Sequence, residues 1–252
     1  MNTKLICIAS AIILFSASCK KSSSSDINLN NGLLAYYPFN GDANDAGPNK
    51  LNGAIQGNVT FTSDVSGKAN SAALFDGVSS FINVPDNTGI LSPSEISISL
   101  LVNFIDISSR AALVDKIEYD NATGLCYSIG IPYANDNQFG FAAIPNSYGC
   151  SNSSYNSSAT MYNSLPLVTN KWYHVVAIFA GSMQKIYINS VLTTAVTRNF
   201  SSLNQCSNAT SFLIGGWWKN DIISLHGSLD EIRIYNRALN QDEINQLAKP
   251  VK

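Results

Sequence analysis

The residues best equipped for chemistry are an oxygen-rich early loop, a late strand acid and a tryptophan pair. The acid is Asp230, which along Gly227 to Tyr235 shares parity with Ile232 and Ile234. Strict alternation sends its carboxylate toward a buried or half-buried face. An uncompensated charge there is costly and must find a cation, a dense set of donors, or a proton. The loop Asn40-Gly41-Asp42-Ala43-Asn44-Asp45-Ala46-Gly47-Pro48-Asn49 offers carboxylate and amide oxygens. Calcium accepts such ligands, including backbone carbonyls, in irregular loops. The alternative is an Asx-rich turn capped by its own side chains.

The tryptophans, Trp217 and Trp218, follow the strand-like stretch Phe212 to Gly216. Neighbours on an extended chain face opposite sides, so one packs inward and the other lies at the sheet end. A sugar offers an apolar C–H face ringed by hydroxyls. Its recognition needs an aromatic plate with amide or carboxylate partners. The long segment Tyr148 to Tyr162, with Asn152, Tyr155 and Asn156, supplies these from a neighbouring loop. The expected ligand surface is the exposed tryptophan with Tyr148 or Tyr155, and Asn152 beside them. The alternative is that both tryptophans plug the end of the fold.

These groups must be held by strands. Ile96, Ile98, Leu100, Val102 and Phe104 share one parity, which places five apolar side chains on one sheet face. Leu33 to Phe39, Leu125 to Ile131, Phe139 to Ile144, Lys171 to Phe179 and Gln184 to Asn189 read the same way. Turn signals such as Asn40-Gly41, Asp76-Gly77 and Ala180-Gly181-Ser182 separate them. Such density without intervening helices predicts an all-β sandwich of two packed antiparallel sheets. One helix is expected, over 241–248. Asn240 with Glu243 forms a capping box, and Leu239 with Ile244 a hydrophobic staple.

Composition narrows the function classes. The chain has 252 residues, 45% hydrophobic and only 13% charged, with Lys+Arg 15 against Asp+Glu 17. A phosphate-tracking nucleic-acid binder is excluded as a working reading. No nucleophile elbow, phosphate-cradling glycine loop or H-E-x-x-H pattern occurs. Neither histidine has a local partner, and His174 falls in phase with Trp172, Val176 and Ile178, as sheet packing.

The first segment reads as an address. Lys4 precedes the apolar stretch Leu5 to Phe15, which is too short to span a bilayer stably, and Ser16-Ala17-Ser18 leads to Cys19. This resembles a bacterial lipoprotein signal of the Bacteroidetes type, which implies acylation of Cys19. The implied location is the cell envelope, lipid-anchored at the outer membrane. On that reading 1–18 is the signal peptide, 19–31 a lipidated flexible tether and 32–250 the domain. Of five cysteines, Cys7 then leaves with the signal and Cys19 goes to lipid. Cys126 lies within a strand, whereas Cys150 and Cys206 lie in polar loops. The preferred disulfide is therefore Cys150–Cys206, with a bridge through Cys126 as the alternative.

Five stretches in register carry a second resemblance. They are Leu34 to Gly41, Ala73 to Gly77, Lys171 to Val176, Lys185 to Asn189 and Gly227 to Leu239. Together they resemble the laminin-G-like, concanavalin A-like jelly-roll domain of secreted bacterial proteins, across about residues 32–248. The resemblance implies two curved sheets, a structural Ca2+ and a carbohydrate- or protein-binding role. It puts calcium between the early loop and the Asp230 strand, with Asp45 matching the loop acid and Asp42 and Asn44 beside it. Hydrolases of that fold carry Glu-x-Asp-x-x-Glu, but here Glu118-Tyr119-Asp120 continues as Asn121-Ala122-Thr123. Asp230 and Glu231, adjacent on a strand, are expected on opposite faces. The expectation is a non-catalytic module for a polysaccharide or glycan, or a structural one for a surface protein, touching membrane only through its lipid.

Overall fold

The computed structural model describes residues 27–120, 123–134, 137–150, 160–207, 210–217 and 220–249. Alternation produces strands where it was strongest. Sheet A runs β13 (Val191–Thr197), β12 (Met183–Ile188), β11 (Trp172–Ala180), β6 (Ile96–Phe104), β15 (His226–Tyr235), β4 (Ala72–Asp76) and β3 (Thr60–Thr62). Its eighth strand, β1 (Leu33–Tyr37), also pairs with β15. Sheet B runs β10 (Thr160–Tyr162), β9 (Gly140–Ala143), β8 (Tyr127–Ile131), β7 (Ala111–Ile117), β14 (Ser211–Ile214), β5 (Phe81–Pro85) and β2 (Ala54–Gln56). The ladders are antiparallel, as a jelly-roll sandwich requires.

The inner faces meet in one core. The predicted parity set of β6 enters it, joined by Tyr37, Phe75, Tyr127, Phe139, Phe179 and Phe212. Strand β6 is buried on its other face too, where Ser97 Oγ donates to the Arg237 carbonyl at 2.7 Å. The helix α1 (Gln241–Leu247) causes this second burial. Leu239, Ile244 and Leu247 cover Val176, Ile178, Tyr187 and Tyr235 on the outer face of sheet A. Its capping box forms as expected: Asn240 Oδ1 accepts from the Glu243 amide at 3.0 Å, and Glu243 Oε2 from the Asn240 amide at 2.9 Å. Arg237 grips the same carboxylate with Nη1 and Nη2, at 2.9 and 2.6 Å, which holds Glu243 below its ordinary pKa.

Strand β15 is divided in two. Its first half pairs with β4 and its second with β1, and the register slips between Asp230 and Arg233, with Glu231 at φ 53°. This bulge resets the alternation. Leu229, Ile232 and Ile234 all enter the core, so Asp230 does not share their face. It stands opposite Leu101 on the outer side of sheet A, buried there to 3% exposure.

Two further features pin the sandwich. Inside it, Lys116 Nζ meets Asp86 Oδ2 at 3.0 Å with both side chains fully buried. Asp86 also accepts from the Ile90 and Leu91 amides and Thr88 Oγ1. The disulfide is Cys150–Cys206, with Cα atoms 5.4 Å apart, and Cys126 is a buried free thiol.

Candidate functional site on the outer face of sheet B

The site begins with a strand whose sequence, AALVDKI, looks wholly internal. A register shift between Ala112 and Val114 in β7 decides which residues face where. Val114 and the Lys116 ion pair turn into the sandwich, while Ala112, Asp115 and Ile117 turn to the outer face. Asp115 stands opposite Ser128 of β8 on one side and Leu213 of β14 on the other. On β8, Gly130 permits the strand's close approach, because a Cβ there would lie 2.2 Å from the Ala111 carbonyl oxygen.

Asp115 forms part of the wall of a half-open cavity of about 170 Å³. Ile131, Pro132, Ile223, Tyr133 and Trp217 give it an apolar, aromatic lining, and Arg110 stands at the rim. Tyr133 is half exposed and stacks on Tyr162, with ring centroids 6.4 Å apart. Arg110 Nη2 pairs with Asp221 at 3.0 Å. That pair leads into a more polar groove of about 600 Å³, lined also by Ser109 and Asn220.

Two polar atoms in this wall are buried without a hydrogen-bond partner among the described residues: Asp115 Oδ2 and Trp217 Nε1. Buried polar groups are nearly always paired, so these two atoms call for a partner that water or a ligand in the cavity can supply. Burial pushes the Asp115 carboxyl up to about 8, against the weaker downward pull of the Ser128 hydroxyl.

Among the predicted ligand residues, Trp217 lines the cavity. Tyr148, in a short 3-10 turn (Asn146–Tyr148), packs with Trp217 against one apolar cluster, which includes Phe81, Ile117, Ile144 and Leu213. Trp218, Tyr155 and Asn152 lie outside the described residues, as does Cys19. Asp115, Ser128, Tyr133 and Arg110 were not anticipated. The available signal was an Asp-Lys pair inside an apolar run, since ionisable residues enter such runs only with a partner or a purpose.

The calcium ligands have other partners. Asp45 is buried, and its Oδ1 accepts from the Tyr36 and Gly47 amides at 2.8 and 2.6 Å, its Oδ2 from Leu51 at 2.9 Å. Asp42 caps Asn44, accepting from its amide and from Nδ2, at the exposed surface. Among the described residues no three His, Cys, Asp or Glu are grouped to hold a metal ion. The loop closes on its own donors in this structure.

Asp230 and Glu231 lie on one face, contrary to strict alternation. Glu231 accepts from Tyr36 Oη at 2.8 Å and pairs with Arg233, while Asp230 accepts from the Glu231 amide at 2.7 Å. Burial, then the neighbouring Glu231 charge, pushes Asp230 up to about 8. His174 is buried on the same face, with Nε2 2.9 Å from Ser99 Oγ.

The family model described as the concanavalin A-like lectin/glucanases superfamily matches residues 76–245. No curated protein matches the chain. Among solved structures, it is similar to domain 4 of AbnA, a GH43 extracellular arabinanase from Geobacillus stearothermophilus, in complex with arabinotriose. That match has 24% identity and TM-score 0.65, covering 86% of this chain and 98% of that one. It is also similar to the binding domain of botulinum neurotoxin DC in complex with rat synaptotagmin II, at 16% identity and TM-score 0.62. The same toxin domain in complex with SialylT matches at 14% identity and TM-score 0.61. Each toxin match covers 88% of this chain but 52% of the other, so the chain spans about half the length of those domains. At these identities the likeness is one of fold.

Proposed function

Since the chain belongs to the concanavalin A-like lectin/glucanases superfamily, we propose that it is a non-catalytic binding module for a polysaccharide or glycan. In this reading the sugar lies in the outer-face cavity of sheet B, and Cys19 carries the lipid that displays the domain on the bacterial outer membrane. One observation carries it: an aromatic, apolar cavity whose wall holds two buried, unpartnered polar atoms, Asp115 Oδ2 and Trp217 Nε1. Sugars match that chemistry, with C–H faces for the rings and oxygens for the polar atoms. The arabinotriose and SialylT complexes of the similar folds support the ligand class, without transferring its identity. The second reading, a protein partner, is favoured by the synaptotagmin complex of a similar fold.

The absence of catalysis is part of the same proposal. Hydrolysis of a glycosidic bond takes two carboxyl groups flanking it, and in the cavity wall Asp115 stands as the carboxyl among Arg110, Ser128 and apolar groups. Glycan-array screening of the soluble domain tests the function, with Trp217→Ala as the control. Loss of glycan binding with a near-native melting temperature supports this site. Equal binding by the variant places the site elsewhere, and an array blank against all glycans favours the protein partner.

A further inference from the structure

This inference rests on the saccharide reading of the cavity. We propose that the site selects sugars that present acceptor oxygens over aminosugars, by presenting Asp115 as a neutral carboxylic acid whose O–H donates to a ligand oxygen. The geometry is that of a donor-lined wall. Asp115 faces Ser128 across the ladder, its Oδ2 is buried and unmatched among the described residues, and the Trp217 Nε1 beside the same cavity is also unmatched. A ligand that satisfies both atoms of the neutral site must accept hydrogen bonds. Hydroxyl and ring oxygens do so; an ammonium group has no lone pair to offer.

The surroundings keep the acid neutral. From β8 Asp115 faces Ser128, from β14 Leu213, and from its own strand Ala112 and Ile117. From the rim come Ile223, Trp217, Tyr133 and Arg110; Tyr133 and Arg110 are the titratable groups among them. Arg110 is turned onto Asp221. Lys116 and Asp86 are paired with each other on the opposite side of the sheet. Among the described residues no cation therefore compensates a charge on Asp115, and burial holds its carboxyl up at about 8. A sugar that covers the mouth removes more water and favours the neutral form further.

The test is isothermal titration of arabinotriose, xylotriose, mannotriose, a glucosamine trimer and a galacturonic acid trimer, between pH 5.5 and 9.5. The expected result is that a neutral trimer binds better than the glucosamine trimer. Its affinity stays level to about pH 7, then falls by about tenfold per pH unit once Asp115 ionises above about 8. Asp115→Asn keeps a neutral donor and should bind with a level profile across the range. Ser128→Ala removes the hydroxyl that pulls the carboxyl downward, so the fall should begin at higher pH, which serves if the first variant folds poorly. Affinity that is flat or rises with pH in the unaltered protein overturns the neutral acid while leaving the saccharide site standing. Tighter binding of the glucosamine trimer than of the neutral trimers overturns the selectivity. If none of the trimers binds, the saccharide reading and this inference fall together.

Discussion

Replacing Lys116 with methionine strips the cation from the interior of the sandwich and leaves Asp86 behind. The two charges are 3.0 Å apart and wholly buried, so neither is screened by solvent. Breaking a buried pair from one side costs about 3–5 kcal/mol, because the remaining charge is uncompensated. Here Asp86 keeps the Ile90 and Leu91 amides and the Thr88 hydroxyl, which places the expected loss at the lower end, about 3 kcal/mol. For a domain of this size that corresponds to a melting temperature lower by about 6–12 °C. Adding Asp86→Asn to Lys116→Met removes the orphaned charge and should recover about half of the loss, since an apolar or neutral replacement of a whole pair is often tolerated. Urea unfolding followed by circular dichroism and tryptophan fluorescence reads both. A single variant within about 0.5 kcal/mol of the parent, or a double variant less stable than the single, would refute this account of the pair.

Three other outcomes are expected. Cys150→Ser with Cys206→Ser opens a link across a sequence separation of 56 and should cost about 4 kcal/mol by loop entropy, measured by urea unfolding under non-reducing conditions. Burial holds the His174 imidazole at about 4, below its ordinary 6.5, so the unfolded chain binds its proton first. Stability is therefore full above about pH 6.5 and drains as pH falls toward 4; His174→Gln should lessen that fall, read as melting temperature at pH 7 and pH 4.5. If calcium binds between the early loop and the Asp230 strand, excess calcium should raise the melting temperature by several degrees over its value in chelator, and an unchanged midpoint would leave Asp45 to its three backbone amides alone.

Period-two patterning made the sandwich legible, because a strand with one apolar face leaves no choice of register. Ile96 to Phe104 shows this, and so does the Asn240–Glu243 box, whose chemistry is local. What patterning could not reveal was where alternation breaks. The bulge at Glu231 turns Asp230 away from the Ile232 face, and no local residue type announces it. The shift near Leu113 does the same on β7, so AALVDKI reads as a featureless buried run although Asp115 faces the cavity. Of the cavity's aromatic lining, Trp217 was legible, since a large ring beside a strand end must either plug it or show, whereas Tyr133 was not. The site's polar half depended on pairing between distant strands. At the other extreme β13 is mostly exposed, with Val191 and Leu192 both accessible, so its apolar residues say nothing of a core.

The C-terminal helix has a consequence for how the domain can be presented. Leu29 and Leu33 pack with α1 against the outer face of sheet A, so the chain enters the fold on the side away from the cavity. Packed sheets lie about 10 Å apart, and that thickness separates the entry point from the cavity face. If a support grips the chain close to Ile27, it lies on the far side of the domain from the cavity. The cavity then looks outward like the palm of a raised hand, and a long polymer can cross it without meeting the support.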